Sequence, residues 1–333
     1  MSNLEHSPAE VNCSEVTSHA EVEVLTPREV PLGGPRAMTV FRTLPQKQRS
    51  LIGAWCFLDH YGPDDVKATG GMNVPRHPHT GLQTVSWLFT GEINHMDSAG
   101  FKATVRPGEV NLMTAGHGIS HSEILTDGTT ILHGAQLWTA LPEHARDMEH
   151  TFENYRPEPL SGPGWSMSVF MGSYEISGQR SASPIATHSE LGGAELRLEP
   201  NTQIEILVPE HHEHGILLDS GALQLNGHQL APRDLGFVRT GSNTLRLASG
   251  DEPVLALLIG GEPLKEDILM WWNFVGRTHE EVLAFRAQWQ AEIGAEPGDA
   301  SEDRFGPFPP GTPAALPAPA LPTVRLRPRV NPS

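Results

Sequence analysis

The stretch from His77 to Val85, His-Pro-His-Thr-Gly-Leu-Gln-Thr-Val, decides how the chain is read. Side chains alternate across a strand, so residues two apart face the same side and His77 and His79 point into one space. Pro78 has no N–H to give to a sheet ladder, which places the segment at a strand entry or a sheet edge. A second pair at the same spacing follows downstream, His121 and Glu123 in AGHGISHSEIL, with Ser122 facing the other way. Three imidazoles and a carboxylate form a mixed nitrogen–oxygen set. It suits Fe(II), Mn(II), Ni(II), Cu(II) or Zn(II) and fits Mg or Ca poorly. Spacing alone leaves two readings open, because the chain has 17 histidines and some H-x-H pairs are simply solvated or hydrogen-bonded. His211, His212 and His214 in EHHEHGI illustrate the point.

Working outward, the surroundings read as β-structure. LQTVSWLF, GEINHMDSAG and KATVRPGEVNLMTAG give strands separated by turns, and HGAQLWTAL gives another strand. A second block repeats the style in AELRLEP, QIEILVPE, GILLDSGALQLNG, LGFVRTG, NTLRLASG and VLALLIGG. Short strands at regular spacing indicate a sandwich or barrel, and two such blocks indicate two similar β-domains. One helix stands out, in THEEVLAFRAQWQAEIG. Thr278 and Glu281 form a capping box, Val282, Phe285 and Trp289 share a face, and Gly294 suits the stop. The expected organisation is a flexible acidic arm at 1–20, β-domains at 21–150 and 151–295, and a Pro-rich tail at 296–333. The tail is expected to be extended or disordered and solvated, offering little to a core, although a partner could bind it.

The net charge of −17 disfavours direct nucleic-acid binding, which needs a basic surface. No apolar run approaches the about 18 residues of a membrane span. Two cysteines, Cys13 and Cys56, supply neither a disulfide framework nor a Cys-rich zinc site. The first residues lack a basic segment followed by an apolar one, so the expected location is the cytoplasm.

Four segments carry a resemblance: FLDHYGP (57–63), HPHTGLQTVSWLFTGEINHMDSAG (77–100), RPGEVNLMTAGHGISHSE (106–123) and HGAQLWTAL (133–141). In order and spacing they resemble the pirin family of the cupin superfamily, strongly over about 40–145 and more weakly through WWNFVGRTHEEV. The resemblance implies an all-β fold of two facing cupin (jelly-roll) β-barrels with a C-terminal helix and flexible termini, and metal in the N-terminal barrel only. It places the ligands at His77, His79, His121 and Glu123, and implies iron, Fe(II)/Fe(III), with Mn, Ni, Cu or Zn as alternatives. Relatives of this kind include enzymes that open flavonols such as quercetin with dioxygen, which gives Glu123 a catalytic role as general base. Others are metal-dependent regulators, so a flavonol-like small molecule and a protein partner are the two alternatives. Thr80 and His117 depart from the family's common Arg, altering charge near the pocket mouth, and His117 is expected at the surface or in a hydrogen-bonding role more than in the pocket. His95 and Asp97 are expected to stabilise a hairpin more than to act catalytically. EHHEHG lacks a matching downstream histidine, so the second barrel is expected to be metal-free and its histidines exposed.

Overall fold

Alternation of apolar and polar residues builds two pairs of antiparallel sheets. They are seen in a computed structural model that describes residues 22–32 and 38–328; the arm expected at 1–20 lies outside the described residues. In the first pair, a seven-stranded sheet runs in the order Thr151–Tyr155, Val110–Thr114, Leu82–Thr90, Ile131–Ala140, Trp55–Asp65, Met38–Leu44 and Arg28–Leu32. It faces a four-stranded sheet of Asn73–His79, Ile119–Leu125, Ile93–Asp97 and Lys102–Val105. The second pair combines seven and six strands. Both pairs are jelly-roll sandwiches whose sheets do not close into barrels. Among the described residues, no helix is long and apolar enough to cross a membrane.

The two sandwiches meet through their seven-stranded sheets. Trp55, Val85, Trp87 and Leu112 from the first share one core with Phe170, Leu217, Leu257 and Ile259 from the second. Trp87 stacks on Phe170 with ring centroids 4.7 Å apart, and its indole N–H donates to Glu195 Oε2 at 2.8 Å. The buried indole thus keeps a hydrogen-bond partner while its ring supplies apolar area.

The ends of the chain cross between the halves. The short strand Glu23–Leu25 pairs with Leu235–Val238, adding an edge to the second sandwich. After the second sandwich the chain returns to the first through the hairpin Leu269–Trp271 and Phe274–Gly276, where Thr80 and Phe274 form a bridge.

The helix spans His279–Glu292, and Thr278 caps it by accepting from the Glu281 N–H. Glu281 reaches back to the Arg277 N–H at 2.7 Å. Val282 and Trp289 are buried, Phe285 is partly buried, and Gly294 ends the helix at positive φ.

The tail corrects the sequence expectation. Its described part carries no strand or helix, yet Phe305 is fully buried among Phe274, Trp289 and the helix, and Ala318 joins the same core. A proline-rich backbone keeps its carbonyls as unpaired acceptors. Neighbouring donors satisfy them here: Trp289 Nε1 donates to Leu316 O at 2.9 Å, and Arg286 Nε to Pro319 O at 2.7 Å. In return, Gln290 Oε1 accepts the Ala318 N–H at 2.7 Å. A count of prolines does not reveal that the helix offers this row of donors.

Candidate metal centre

Pro78 does sit on an edge strand, since Asn73–His79 bounds the four-stranded sheet. Its neighbour Ile119–Leu125 aligns His121 opposite His77, and the next strand places Asp97 opposite His121 and His95 opposite Glu123. Alternation therefore directs these residues to the inner face together. Nitrogen atoms of His77, His79 and His121 lie within 4.8 Å of one another, and all three side chains are fully buried.

Hydrogen bonds fix the tautomers. His77 Nδ1 lies 2.8 Å from Pro75 O, and His79 Nδ1 lies 3.2 Å from Asn273 O. A carbonyl only accepts, so both rings carry their proton on Nδ1 and present a lone pair on Nε2. His95 Nε2 faces Asp97 Oδ2 at 2.9 Å and so carries the proton, leaving His95 Nδ1 as an acceptor. His121 Nδ1, 3.4 Å from it, is then the donor, and His121 Nε2 also presents a lone pair. Burial, followed by mutual repulsion with neighbouring imidazoles, holds all three rings well below the ordinary histidine range, so they are neutral near pH 7.

The outcome is three acceptors with no proton between them. His79 Nε2 and His121 Nε2 are 3.1 Å apart, and His77 Nε2 is buried without a partner. Facing lone pairs repel, and a shared cation removes that repulsion. The donor set fits a divalent transition metal held by neutral imidazoles whose other nitrogens are anchored.

Glu123 is buried on the same face, but its carboxylate is not within 4.8 Å of all three imidazole nitrogens. The pairing with Asn73–His79 shifts register between His121 and Glu123, so Glu123 lies opposite Val74. There Ser86 Oγ contacts Glu123 Oε1 at 3.4 Å. Burial, then the charges of Glu123 and Asp59, push the Tyr61 phenol well above its usual range.

Other sequence expectations shift. His95 lies on the strand Ile93–Asp97 and touches His121, while Asp97 both supports His95 and accepts the Phe101 N–H at 3.0 Å. His117 points away, with Nδ1 3.3 Å from Met148 O and its own carbonyl bonded by Arg304. Thr80 is no mouth residue; it is buried and donates to Val275 O at 3.4 Å. His214 is fully buried on the strand Glu213–Ser220, not exposed in a loop. The strand begins at Glu213, three residues before the apolar run from Ile216 that marks it. Asn273 was missed as a site residue, and no local signal points to it, because it contacts His79 from 194 positions away.

Family models match twice: pirin over residues 36–139 and the pirin C-terminal cupin domain over 193–293. The chain belongs to the pirin family. A protein of Pseudomonas aeruginosa provisionally named a quercetin 2,3-dioxygenase is 38% identical over 296 residues, covering 89% of each chain. A pirin-like protein of Caulobacter vibrioides is 32% identical, covering 81% of this chain and 94% of its own. A crystal structure of quercetin 2,3-dioxygenase from Acinetobacter baumannii superposes with a TM-score of 0.82 at 38% identity, over 92% of this chain and 97% of that one. The pirin-type half is the one that carries the three converging histidines.

Proposed function

We propose that this pirin holds a divalent metal, in the first place iron, at His77, His79, His121 and Glu123, and cleaves flavonols with dioxygen in the manner of quercetin 2,3-dioxygenase. The observation that carries the reading is the trio of buried Nε2 lone pairs with no proton between them. The relatives that bear the quercetin dioxygenase name supply the reaction class. A bound iron-type cation would supply Lewis acidity toward an enol oxygen and redox chemistry toward dioxygen.

The chain's own residues do the rest. Pro75 O and Asn273 O hold two ring protons away from the centre, and the Asp97–His95 pair holds the third. Trp138 stands edge-on to His79 at 5.0 Å and helps to exclude water. Glu123 would complete the ligand set and, when it swings free beside Ser86, accepts the substrate's hydroxyl proton on a carboxylate oxygen.

The test is oxygen consumption by iron-loaded protein with quercetin, beside His79→Ala. Consumption lost in the variant supports the reading, and equal rates in both proteins reject it.

One observation favours a second reading, an iron-dependent regulator that senses redox state through a protein partner. His77, His79 and His121 are fully buried, and neither the cavity of about 640 Å³ beside Tyr174 nor that of about 350 Å³ beside Asp219 is lined by them. A closed centre can still change charge by one electron. Capture of a partner by one iron oxidation state and not the other, with no flavonol turnover, would select this reading.

A further inference from the structure

His60, His133 and Asp219 make a second convergence, at the seam between the two sandwiches. His60 lies on Trp55–Asp65 and His133 on Ile131–Ala140, both in the first sandwich, whereas Asp219 lies on Glu213–Ser220 in the second. His60 Nε2 is 2.7 Å and His133 Nε2 is 2.5 Å from the same oxygen, Asp219 Oδ1. The potential ligand atoms all lie within 4.8 Å of one another.

The backbone is shaped around this point. The strand Ile131–Ala140 shifts register at His133 against both of its neighbours. Such bulges re-aim a side chain, here toward the seam. The His133 ring is further held against Phe89, with centroids 4.8 Å apart. His60 Nδ1 is buried without a hydrogen-bond partner, so no second bond pins that ring and it can tilt outward. Burial pushes the Asp219 carboxyl up, but the bonds from His133 and His60 outweigh it and hold it well below the usual carboxylate range, so it is an anion.

We propose that His60, His133 and Asp219 form a second divalent-cation site, of the zinc type, that clasps one sandwich to the other. Two neutral imidazoles and one carboxylate are a zinc donor set that leaves a fourth position open. That position faces a cavity of about 350 Å³, which gives the ion an entry path and room for water or a small anion. Arg233 lines the same cavity, its guanidinium stacked 3.7 Å from the Phe41 ring centroid, and provides a positive charge for an anionic fourth ligand. The two contacts to Asp219 Oδ1 are the short form of the clasp. On zinc binding the proton that each Nε2 donates to Asp219 Oδ1 moves to the Nδ1 of the same ring, and opening the contacts by somewhat under an ångström brings all three atoms to the about 2.0–2.2 Å bond lengths of zinc. The site is separate from the His77 centre and does not rest on the flavonol reading.

The experiment is zinc loading of the full chain, desalting and metal quantification, with folding checked by circular dichroism. Wild type should retain two equivalents, His79→Ala one, and His79→Ala combined with Asp219→Asn none. His133→Gln, at the partly exposed member of the trio, should reproduce the Asp219→Asn loss if the latter fails to fold. If the His79→Ala background itself unfolds, the fall from two equivalents to one in His133→Gln alone decides. Retention of zinc unchanged by Asp219→Asn or His133→Gln overturns the proposal. So does a wild type that holds one equivalent while Asp219→Asn lowers only the melting temperature, which would make the trio an ionic clasp without metal.

Discussion

Ser120 Oγ donates a 2.7 Å hydrogen bond to the carbonyl of Phe305, which fastens the strand that carries His121 to a segment 185 residues downstream. Arg76, next to His77, reinforces the same clamp. Its Nε donates to Ser120 Oγ at 2.9 Å, and its guanidinium lies over Trp289 and Phe308. The residues just before two histidines of the proposed metal site thus grip the tail and helix from the outer face, while the histidines face inward.

Phe305→Ala should therefore destabilise the protein by about 3 kcal/mol or more, the cost of emptying a fully buried aromatic site. Urea denaturation followed by tryptophan fluorescence measures it, with Trp289 against the vacated space. A change within about 0.5 kcal/mol would mean that the tail contributes no packing.

His95→Ala should weaken metal retention by about 10- to 100-fold while leaving the three proposed histidine ligands in place. Without His95 Nδ1, the His121 ring loses the acceptor that keeps its proton on Nδ1. Competition with a chelator measures the change. Unaltered retention would show that the Asp97–His95 pair serves only the hairpin.

Gly81→Ala tests the coupling between the hairpin and His79. Gly81 has φ +65°, and a Cβ there would lie 2.5 Å from Val275 O, so the hairpin must shift. Positive φ alone costs an alanine on the order of 1 kcal/mol. Because Asn273 O anchors the His79 ring, metal retention should fall together with the melting temperature. Loss of stability with unchanged retention would separate the two.

His214 gives a stability dependence on pH. Burial, with the charge of His212, pushes it down from 6.5 to about 4. The unfolded chain takes up this proton as pH falls below 6.5, and the folded chain does not until about pH 4. The contribution of His214 is therefore complete above 6.5, declines as pH falls through that window, and is flat below it. The span is about 3 kcal/mol, at about 1.4 kcal/mol per pKa unit. Denaturation across pH 4–7 should show a shallower slope for His214→Gln than for wild type.

What was legible in the sequence was local. The i, i+2 alternation put His77 with His79, and Pro78 marked an edge strand, because strand geometry and a missing N–H act within a few residues. The capping box at Thr278 and Glu281 was local in the same way. The support of the site was not local. Asn273 O, the His95–His121 contact and the Ser120–Phe305 clamp join residues brought together only by topology. Composition also misled twice. Prolines suggested a solvated tail, yet its backbone carbonyls, those of Leu316 and Pro319, are what Trp289 and Arg286 bind. The histidine-rich EHHEHG suggested a loop, yet His214 already belongs to the strand. The His60, His133 and Asp219 trio left no sequence trace, since its members come from two different sandwiches.

The crossing of the chain ends bears on how the molecule is made. Glu23–Leu25 completes the second sandwich, and residues 269–318 cover the strands of the first. On a ribosome the first sandwich would be synthesised long before its hairpin, helix and tail emerge, and its own leading strand would wait for Leu235–Val238. Neither half can reach its final form as a nascent domain. His79 gains its Asn273 contact only after the whole second sandwich has been made, and a fragment cut between the sandwiches would lack part of each.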